Sequence, residues 1–289
     1  MSYTIKQHEL GYKYISPLPS EKELQDYYKN KYYQNLTVST YQNKYSKEEL
    51  ELFKIDAVLS NVFYKEQVRK TTNLLDIACG EGYFMKYMQD LDWEVEGTDY
   101  SSFGIKTHNK SLLDKVHFGD LMTRLDQLIT NKKNYDFINL GNILEHVVYP
   151  LELLNKCNQL LSSGGMLRVK VPNDFSLIQN NLIDNDLTEE YWVHPPDHLS
   201  YFNFDTLPKV LHHCNFDLKE LLGDFPIEIF LLHPDSNYIK NNNGRKAHLA
   251  RASFTLDVWR KGHKAFLEVF SNLAKAKISR SCIAFATKK

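Results

Sequence analysis

Short apolar runs alternate with segments of helical spacing through the middle of the chain. The runs with the length and composition of buried strands are NLLDIA from residue 73, EVEGTD from 94, VHFGD from 116, YDFINL from 135 and GGMLRVKVP from 164. Helical spacing follows in YFMKYMQDL, SSFGIKTHNKSL and LELLNKCNQLL. Strands joined by such helices form right-handed crossovers. With the later runs DLKELLGDF and SCIAFATKK, the pattern predicts an α/β fold with a doubly wound, mostly parallel seven-stranded sheet.

The chain before this alternation has a different character. Residues 1–70 are polar and rich in tyrosine. A hydroxyl side chain followed three residues later by a glutamate is a capping box, and this spacing occurs at Ser20 with Glu23 and at Ser46 with Glu49. We therefore predict a helical N-terminal cap over residues 1–70, with a short helix after Ser20 and a longer one after Ser46.

Two insertions interrupt the domain that we predict over residues 71–289. Residues 173–203 form a long, partly acidic segment without a clear period. Long loops in compact domains are usually functional lids or disordered segments. Residues 226–278 have mainly helical spacing. We predict a lid over residues 173–203 and a helical insertion over residues 226–278.

Composition and charge exclude several classes of function. A net charge of −1 provides no field that would attract nucleic acid, so we expect no nucleic-acid partner. The longest apolar runs are too short for a membrane span and the start of the chain lacks the apolar core of a signal peptide, so we expect no membrane insertion. The four cysteines are scattered without a C-x-x-C pair, which indicates a reducing, cytoplasmic compartment. The oligomeric state is left open.

The turn after the first strand of the alternation, LLDIACGEGYF, is a glycine loop that opens a helix. Gly80 and Gly82 allow the backbone to approach a ligand closely. The dinucleotide fingerprint would need a third glycine where Met85 stands, and a P-loop would need a following G-K-[ST]. Asp76 and Glu81 place carboxylates where a phosphate would be repelled. The loop therefore favours a cationic ligand that has no phosphate.

In this loop the chain resembles the class I S-adenosylmethionine-dependent methyltransferases. Their first motif is D/E-x-G-x-G-x-G, and here it begins at Asp76, ends at Gly82 and has Ala78 in place of its first glycine. The match continues in order through EGTDYS, HFGD and the segment from YDFINL to KVPN. The resemblance covers roughly residues 70–222 together with the last strand. It implies a Rossmann-like methyltransferase fold that binds S-adenosylmethionine.

The resemblance also implies roles for residues at the strand ends. Asp99 would bind the ribose hydroxyls, Tyr100 the adenine ring and Asp120 the adenine amino group, with Leu121 as a backbone contact. Each acid alone reads as an ordinary strand-end carboxylate. Acids at the carboxyl ends of consecutive strands, where open α/β sheets bind ligands, favour a site. The implied cofactor-binding residues are Asp76, Ala78, Gly80, Gly82, Tyr83, Asp99, Tyr100, Asp120, Leu121 and Leu140.

Two candidate catalytic residues follow the fourth strand, in NILEHVVYP. Methyl transfer to a hydroxyl needs a base for its proton, and Glu145 and His146 lie at the predicted edge of the cleft. A structural hydrogen bond or ion pair is the alternative role. In some quinone-pathway O-methyltransferases of the family, the pattern E-x-x-E-H binds a divalent metal, but here Asn142 replaces the first acid. We therefore predict no metal site.

The predicted lid supplies further candidates in YWVHPPDHLSYF. His194 and His198 have the four-residue spacing of a helical zinc site, but Pro195 and Pro196 deter a helix between them. The segment, which also contains Asp197, is similar to one in methyltransferases found among surface-glycan genes. That resemblance favours His198 over His194 as a catalytic residue. Packing of the histidines in a rigid loop is the alternative.

Two further groups are open to a binding or a structural role. Tyr28, Tyr32 and Tyr33 would either cap a bound ligand or pack the N-terminal segment on the sheet. A basic run in the second insertion would either meet an acidic or phosphorylated acceptor or form a solvated face; its residues are Arg245, Lys246 and Arg251.

Together these patterns predict an O-methyltransferase with a histidine base, either His198 or His146. The predicted acceptor is a small molecule or glycan, namely a sugar hydroxyl of a nucleotide sugar or of a capsule or lipopolysaccharide glycan. That acceptor class rests only on the resemblance to the methyltransferases found among surface-glycan genes. A quinone or another small metabolite is the alternative acceptor, and a cofactor-binding partner subunit without turnover is the second alternative.

Overall fold

Seven of the apolar runs pair in one central sheet. The structure is a computed structural model, and it describes residues 3–27, 44–67 and 72–289. The strands, in chain order, are β1 (Thr4–Gln7), β2 (Lys13–Ser16), β3 (Asn73–Ile77), β4 (Glu94–Asp99), β5 (Val116–Phe118), β6 (Tyr135–Gly141), β7 (Leu161–Pro172), β8 (Ser200–Tyr201), β9 (Phe216–Leu222) and β10 (Ser281–Lys288). The central sheet has the order β5-β4-β3-β6-β7-β10-β9. Its first five strands are parallel, and β10 is antiparallel to both β7 and β9. The predicted doubly wound, mostly parallel seven-stranded sheet is confirmed.

Helices cover both faces of this sheet. They are α1 (Glu21–Tyr27), α2 (Lys47–Gln67), α3 (Tyr83–Gln89), α4 (Phe103–His108), α5 (Leu121–Thr130), α6 (Pro150–Leu160), α7 (Leu177–Asp184), α8 (Leu207–His213), α9 (Gly244–Arg260) and α10 (His263–Lys275). Successive side chains of a strand point to opposite faces. Leu74 accordingly packs with Met85 of α3, whereas Leu75 lies in the core that includes Leu125 of α5 and Leu153 of α6. Burial on both faces explains why the strands are continuous apolar runs.

The N-terminal cap differs from its prediction at the start of the chain. β1 and β2 form an antiparallel hairpin, and β2 also pairs with β8 of the lid, which gives a three-stranded sheet. The prediction of helix is wrong for residues 4–16. Both strands have only four residues and little apolar alternation, and the partner of β2 lies far along the chain, so no local pattern indicates the pairing. The helices expected after Ser20 and Ser46 are confirmed as α1 and α2.

The two predicted insertions contain regular structure. Residues 173–203, which we expected to be irregular, include α7 and β8. A capping box explains α7, since Ser176 accepts from the backbone N–H of Gln179 and the Gln179 side chain accepts from the backbone N–H of Ser176. Residues 226–278 hold α9, α10 and two short 3₁₀ turns, as the helical spacing indicated. Among the helices that the structure describes, none combines the length and the apolar character needed to cross a membrane.

Candidate active site

The glycine loop lies between β3 and α3 at the carboxyl edge of the sheet. Ala78, Gly80 and Gly82 all adopt left-handed backbone conformations, with φ of 55°, 57° and 78°. A Cβ on Gly82 would come within 2.5 Å of Ile105 Cδ1, so a side chain at the third glycine position of the motif would displace Ile105. Ala78 adopts the same region despite its Cβ, at a cost of about 1–2 kcal/mol. The replacement of the motif's first glycine therefore strains the loop without changing its shape.

Asp99 holds the glycine loop against the end of β4. One carboxylate oxygen accepts from the backbone N–H of Gly80 at 2.8 Å, and the other accepts from the backbone N–H of Ser101 at 2.9 Å. Each carboxylate oxygen has two lone pairs, so Asp99 keeps acceptor capacity for further donors. The structure thus gives this acid a structural role in addition to the ribose contact that the resemblance implies.

Asp76 is the first member of a buried polar chain that runs across the sheet. Its carboxylate accepts from Asn139 at 2.6 Å, and the Asn139 side-chain oxygen accepts from Arg168 at 2.9 Å. Arg168 then pairs with Asp56 of α2 at 2.8 Å, and Lys170 lies 3.6 Å from the same carboxylate. Burial raises the pKa of Asp76 to about 7. A nearby cation would favour the ionised form of this acid.

Sequence reasoning missed the members of this chain beyond Asp76. Arg168 and Lys170 stand in GGMLRVKVP, an otherwise apolar strand, and a charged residue in a buried strand is rarely there for packing. That signal was available for these two residues. Asn139 and Asp56 carry no comparable signal, because nothing local connects α2 or β6 to Arg168.

The other implied cofactor residues occupy different environments. Tyr83 lies in the cleft, stacks on Phe53 and shares a hydrogen bond with His108. Tyr100 is 44% exposed at the cleft wall. Asp120 caps α5 by accepting from the backbone N–H of Thr123 at 2.8 Å, and both it and Leu121 line the cleft.

Leu140 does not fit a side-chain role in cofactor binding. Its side chain is fully buried in the core between β6 and the helices α5 and α6. The residues on either side of it, Asn139 and Gly141, line the cleft instead. Side chains alternate between the two faces of a strand. The motif therefore identified the correct strand, but the side chain of Leu140 points away from the cleft.

The predicted catalytic residues converge on one region of the cleft. The backbone carbonyl of Glu145 accepts from the N–H groups of Leu199 and Ser200 at 2.8 and 3.1 Å, which docks the end of the lid on the loop after β6. The His146 and His198 rings then meet edge to face with centroids 4.8 Å apart. The structure thus brings together two histidines that are separated by more than fifty residues of sequence.

The turn through Pro195 and Pro196 is not helical, as predicted, but it still brings its two histidines together. The His194 ring centroid lies 4.4 Å from that of His198. His194 is half exposed at the cleft, whereas His198 is buried. The two histidines are thus close together although no helix connects them.

Hydrogen bonds and charges separate the protonation states of His146 and His198. His146 Nδ1 donates to the Asp197 carbonyl at 2.7 Å and lies 3.3 Å from the Asp197 carboxylate. Burial opposes the charged form of His146, but Asp197 and Glu145 outweigh it and raise its pKa to about 9. Burial, together with the positive charge of His146, lowers the pKa of His198 to about 2. At neutral pH, His146 is therefore an imidazolium and His198 a neutral imidazole.

A buried carboxylate faces the other side of His198. Asp174 Oδ2 lies 4.0 Å from His198 Nδ1, and neither atom has a hydrogen-bond partner among the described residues. Asp174 Oδ1 accepts from Arg280 at 2.9 Å, and Arg280 also lies 3.4 Å from Glu228. Two unpartnered atoms that face each other across a short gap are placed to form a bond once the gap closes. Sequence reasoning did not identify Asp174.

The same region has donor sets of the kind that bind metal ions. There are two such groups among the described residues, and within each group the ligand atoms lie within 4.8 Å of one another. The first group is Glu145, His146 and His198. The second is His194, Asp197 and His198. Imidazole and carboxylate ligands suit zinc or iron. Pro195 and Pro196 prevent a helix between His194 and His198, but the two side chains still come together, so the prolines give no argument against a metal site. The absence of a metal stays a prediction, and it rests on Asn142, which stands where the metal-binding pattern E-x-x-E-H has its first acid.

The cleft that holds these groups is large and is lined by both acidic and basic side chains. Its volume is about 1710 Å³, beyond the roughly 300–1,000 Å³ of a site for one small ligand. One end is lined by the acids Asp76, Glu81, Asp99 and Asp120. Arginine and lysine side chains among its described lining residues lie along β7 and α9; they are Arg168, Lys170, Arg245 and Arg251. The shape and charge fit a cationic ligand and a second ligand side by side.

Comparison with known proteins agrees with this arrangement. A family model described as a methyltransferase domain matches residues 42–221. The chain is similar to a ubiquinone biosynthesis O-methyltransferase of Caulobacter sp. strain K31, with 31% identity over 102 residues that make up 35% of this chain and 40% of that protein. It is also similar to a ubiquinone biosynthesis O-methyltransferase of Glaesserella parasuis, with 24% identity over 52% of this chain and 67% of that protein. The match thus spans about two fifths of the length of the Caulobacter protein.

A solved structure extends the likeness across the fold. A SAM dependent methyltransferase from Archaeoglobus fulgidus superposes with a TM-score of 0.53 at 20% identity, covering 83% of this chain and 94% of that one. At this level of identity the likeness concerns the fold alone.

Proposed function

The chain belongs to the family of S-adenosylmethionine-dependent methyltransferases, and on that premise we propose that it methylates a hydroxyl oxygen of a small molecule with His198 as the general base. The observation that carries the proposal is the position of His198 in the cleft wall, with its Nδ1 4.0 Å from the buried carboxylate of Asp174. His198 is neutral and able to accept a proton, whereas the adjacent His146 already carries one. Of the two histidines predicted as the base, His198 is therefore the one supported.

The acidic end of the cleft suits the cofactor. S-adenosylmethionine supplies a methyl group on a sulfonium, a good leaving group, so alignment is the main contribution left to the protein. Asp99 and Tyr100 would hold the nucleoside, and Asp76 would face the positive charge. The glycine loop would lie against the cofactor with its backbone, which the missing side chains of Gly80 and Gly82 allow.

The proton of the acceptor hydroxyl would pass to His198 Nε2. As positive charge develops on this ring, Asp174 on its Nδ1 side would stabilise it, as a carboxylate does for a catalytic imidazole. Burial and the cationic His146 oppose that charge. In this arrangement Asp174 is a positioning residue, and Asp197 and Glu145 fix the charge of His146.

An acidic hydroxyl is the easier acceptor for an imidazole base. A phenol has a pKa of about 10, whereas an aliphatic hydroxyl has a much higher pKa and holds its proton about as tightly as bulk water. The smaller gap makes transfer to His198 less costly for a phenol. The names of the similar O-methyltransferases, which concern ubiquinone biosynthesis, point to the same chemistry. We therefore propose a phenolic acceptor of the quinone-precursor type in place of the sugar hydroxyl expected from the lid.

A paired screen of acceptors tests the proposal. The protein is incubated with S-adenosylmethionine and either catechols and hydroquinones or nucleotide sugars, and products are read by mass spectrometry. We expect a mass increase of one methyl group on phenols and none on sugars. Methylation of sugars alone would restore the original expectation. Binding of the cofactor without turnover on any acceptor would favour a partner subunit without activity.

A further inference from the structure

We propose that the acceptor carries an oxyanion, either a carboxylate or a phosphate, which binds Arg251 on the cleft-facing side of α9. This inference rests on the proposed function and names the class of acceptor more closely. It concerns the part of the cleft wall that α9 and β7 form.

One face of α9 forms a wall of the cleft. Arg245, His248, Arg251 and Thr255 line the cleft, and their spacing of three, three and four residues places them on one side of the helix. Lys246 belongs to the same basic run but is exposed and does not line the cleft. The fold therefore divides the run into residues that face a ligand and a residue that faces solvent.

A buried acid of α2 fixes the first part of this face. The Glu49 side chain is only 3% exposed, and it forms a bidentate ion pair with Arg245. It also lies 3.1 Å from His248 Nε2. The hydrogen bond from Arg245 lowers the pKa of Glu49 to about 2, against the effect of burial. The charge of Arg245 is thus neutralised within the protein.

His248 links Glu49 to Arg251 by hydrogen bonds, but it does not neutralise the charge of Arg251. Arg251 donates to His248 Nδ1 at 2.9 Å, so this nitrogen is an acceptor and the Nε2–H donates to Glu49. Burial and the charge of Arg251 lower the pKa of His248, which keeps the ring neutral. Arg251 is therefore oriented by an uncharged partner. Within the described part of the chain it forms no ion pair with a carboxylate, and four of its five N–H donors remain for other partners.

An oriented guanidinium with an uncompensated charge is suited to an oxyanion. Its planar fork matches carboxylate and phosphate in two parallel hydrogen bonds. The neighbouring part of the cleft has the same sign of charge, because Arg168 and Lys170 share the single carboxylate of Asp56. Glu49 and Asp56 lie seven residues apart on α2, about 10 Å along the helix. The two basic groups thus line one continuous end of the cleft, and both favour an anionic acceptor.

Matched pairs of neutral and anionic catechols test the inference. The probes are dihydroxybenzoate, dihydroxyphenylacetate and dihydroxyphenylpropanoate, each paired with its methyl ester, so that the anion lies at increasing distance from the hydroxyls. Binding to the full chain loaded with S-adenosylhomocysteine is measured by calorimetry. We expect at least one acid to bind about tenfold more tightly than its ester, the effect of one charge-assisted hydrogen bond.

Two variants locate the effect. Arg251→Gln should remove the preference for the acid, whereas Lys246→Gln, the same change on the solvent side of α9, should keep it. The inference is overturned if no acid binds more tightly than its ester, or if the preference survives Arg251→Gln. Methylation of the catechols without such a preference would leave the proposed function standing. A preference lost in Arg251→Gln but without methylation of any phenol would contradict the proposed function and not the anion site.

Discussion

The two ends of the cleft are built in different ways. The cofactor end consists of a strand-to-helix loop and the acids at the ends of consecutive parallel strands, all supplied by residues 76–120. The acceptor end combines α2, the loop after β6, the lid and α9, which are far apart in the chain. One end is acidic and shaped by backbone, and the other carries histidines and arginines. This division allows one fold to hold a cationic methyl donor beside an acceptor of a different charge.

The largest expected effect belongs to the acceptor end. His198→Gln removes the neutral imidazole that accepts the proton, and we expect the rate of methyl transfer to fall about 10²–10⁴-fold. The dissociation constant for S-adenosylmethionine should not change, since His198 lies outside the cofactor end. The matched control is His212→Gln, an exposed histidine of α8. A variant that loses cofactor affinity together with activity would show that the two ends are not independent.

The complementary change lies at the cofactor end. Asp99→Ala removes the carboxylate that anchors Gly80 and is implied to bind the ribose, so we expect cofactor affinity to fall about 10- to 100-fold by calorimetry. Asp114→Ala, at an exposed acid of the 3₁₀ turn after α4, should leave it unchanged. Unaltered affinity in Asp99→Ala would mean that the acid serves only the loop. Thermal melting of both variants would separate loss of contact from loss of fold.

The smallest expected effect concerns metal. We predict no change in activity after treatment with a chelator, because Asn142 replaces the first acid of the metal-binding pattern E-x-x-E-H. Loss of activity that zinc or magnesium restores would contradict this, and would assign Glu145, His146 and His198 to a metal. Both ends of the cleft would then hold a cation, the methyl donor at one end and the metal at the other.

The same contrast explains what the sequence could predict. Asp76, Gly80, Gly82 and Asp99 follow from local spacing, because a loop between a strand and a helix at the edge of a parallel sheet has a fixed place in space. The acceptor end has no such local rule. Asp174 faces His198 only because the two ends of the lid fold over the same edge, and Arg251 is oriented by an acid two hundred residues earlier.

Some of the remaining failures have the same origin. The hairpin of β1 and β2 pairs with β8, a contact that neither short segment encodes by itself. Leu140 was placed at the site by motif position, although strand alternation turns its side chain into the core. For Tyr28, Tyr32 and Tyr33 the expectation of a capping or packing role stays a prediction, because they lie outside the described residues.

The protonation states of the paired histidines decide whether His198 can be the base. Nuclear magnetic resonance of protein labelled with ¹⁵N in its histidines reads the charge and tautomer of each ring, and the variants His146→Gln and His198→Gln assign the signals. We predict that His146 is protonated at pH 7 and titrates at about 9, whereas His198 stays neutral down to the acid limit of folding. A protonated His198 at pH 7, or a neutral His146, would contradict the assignment of His198 as the general base.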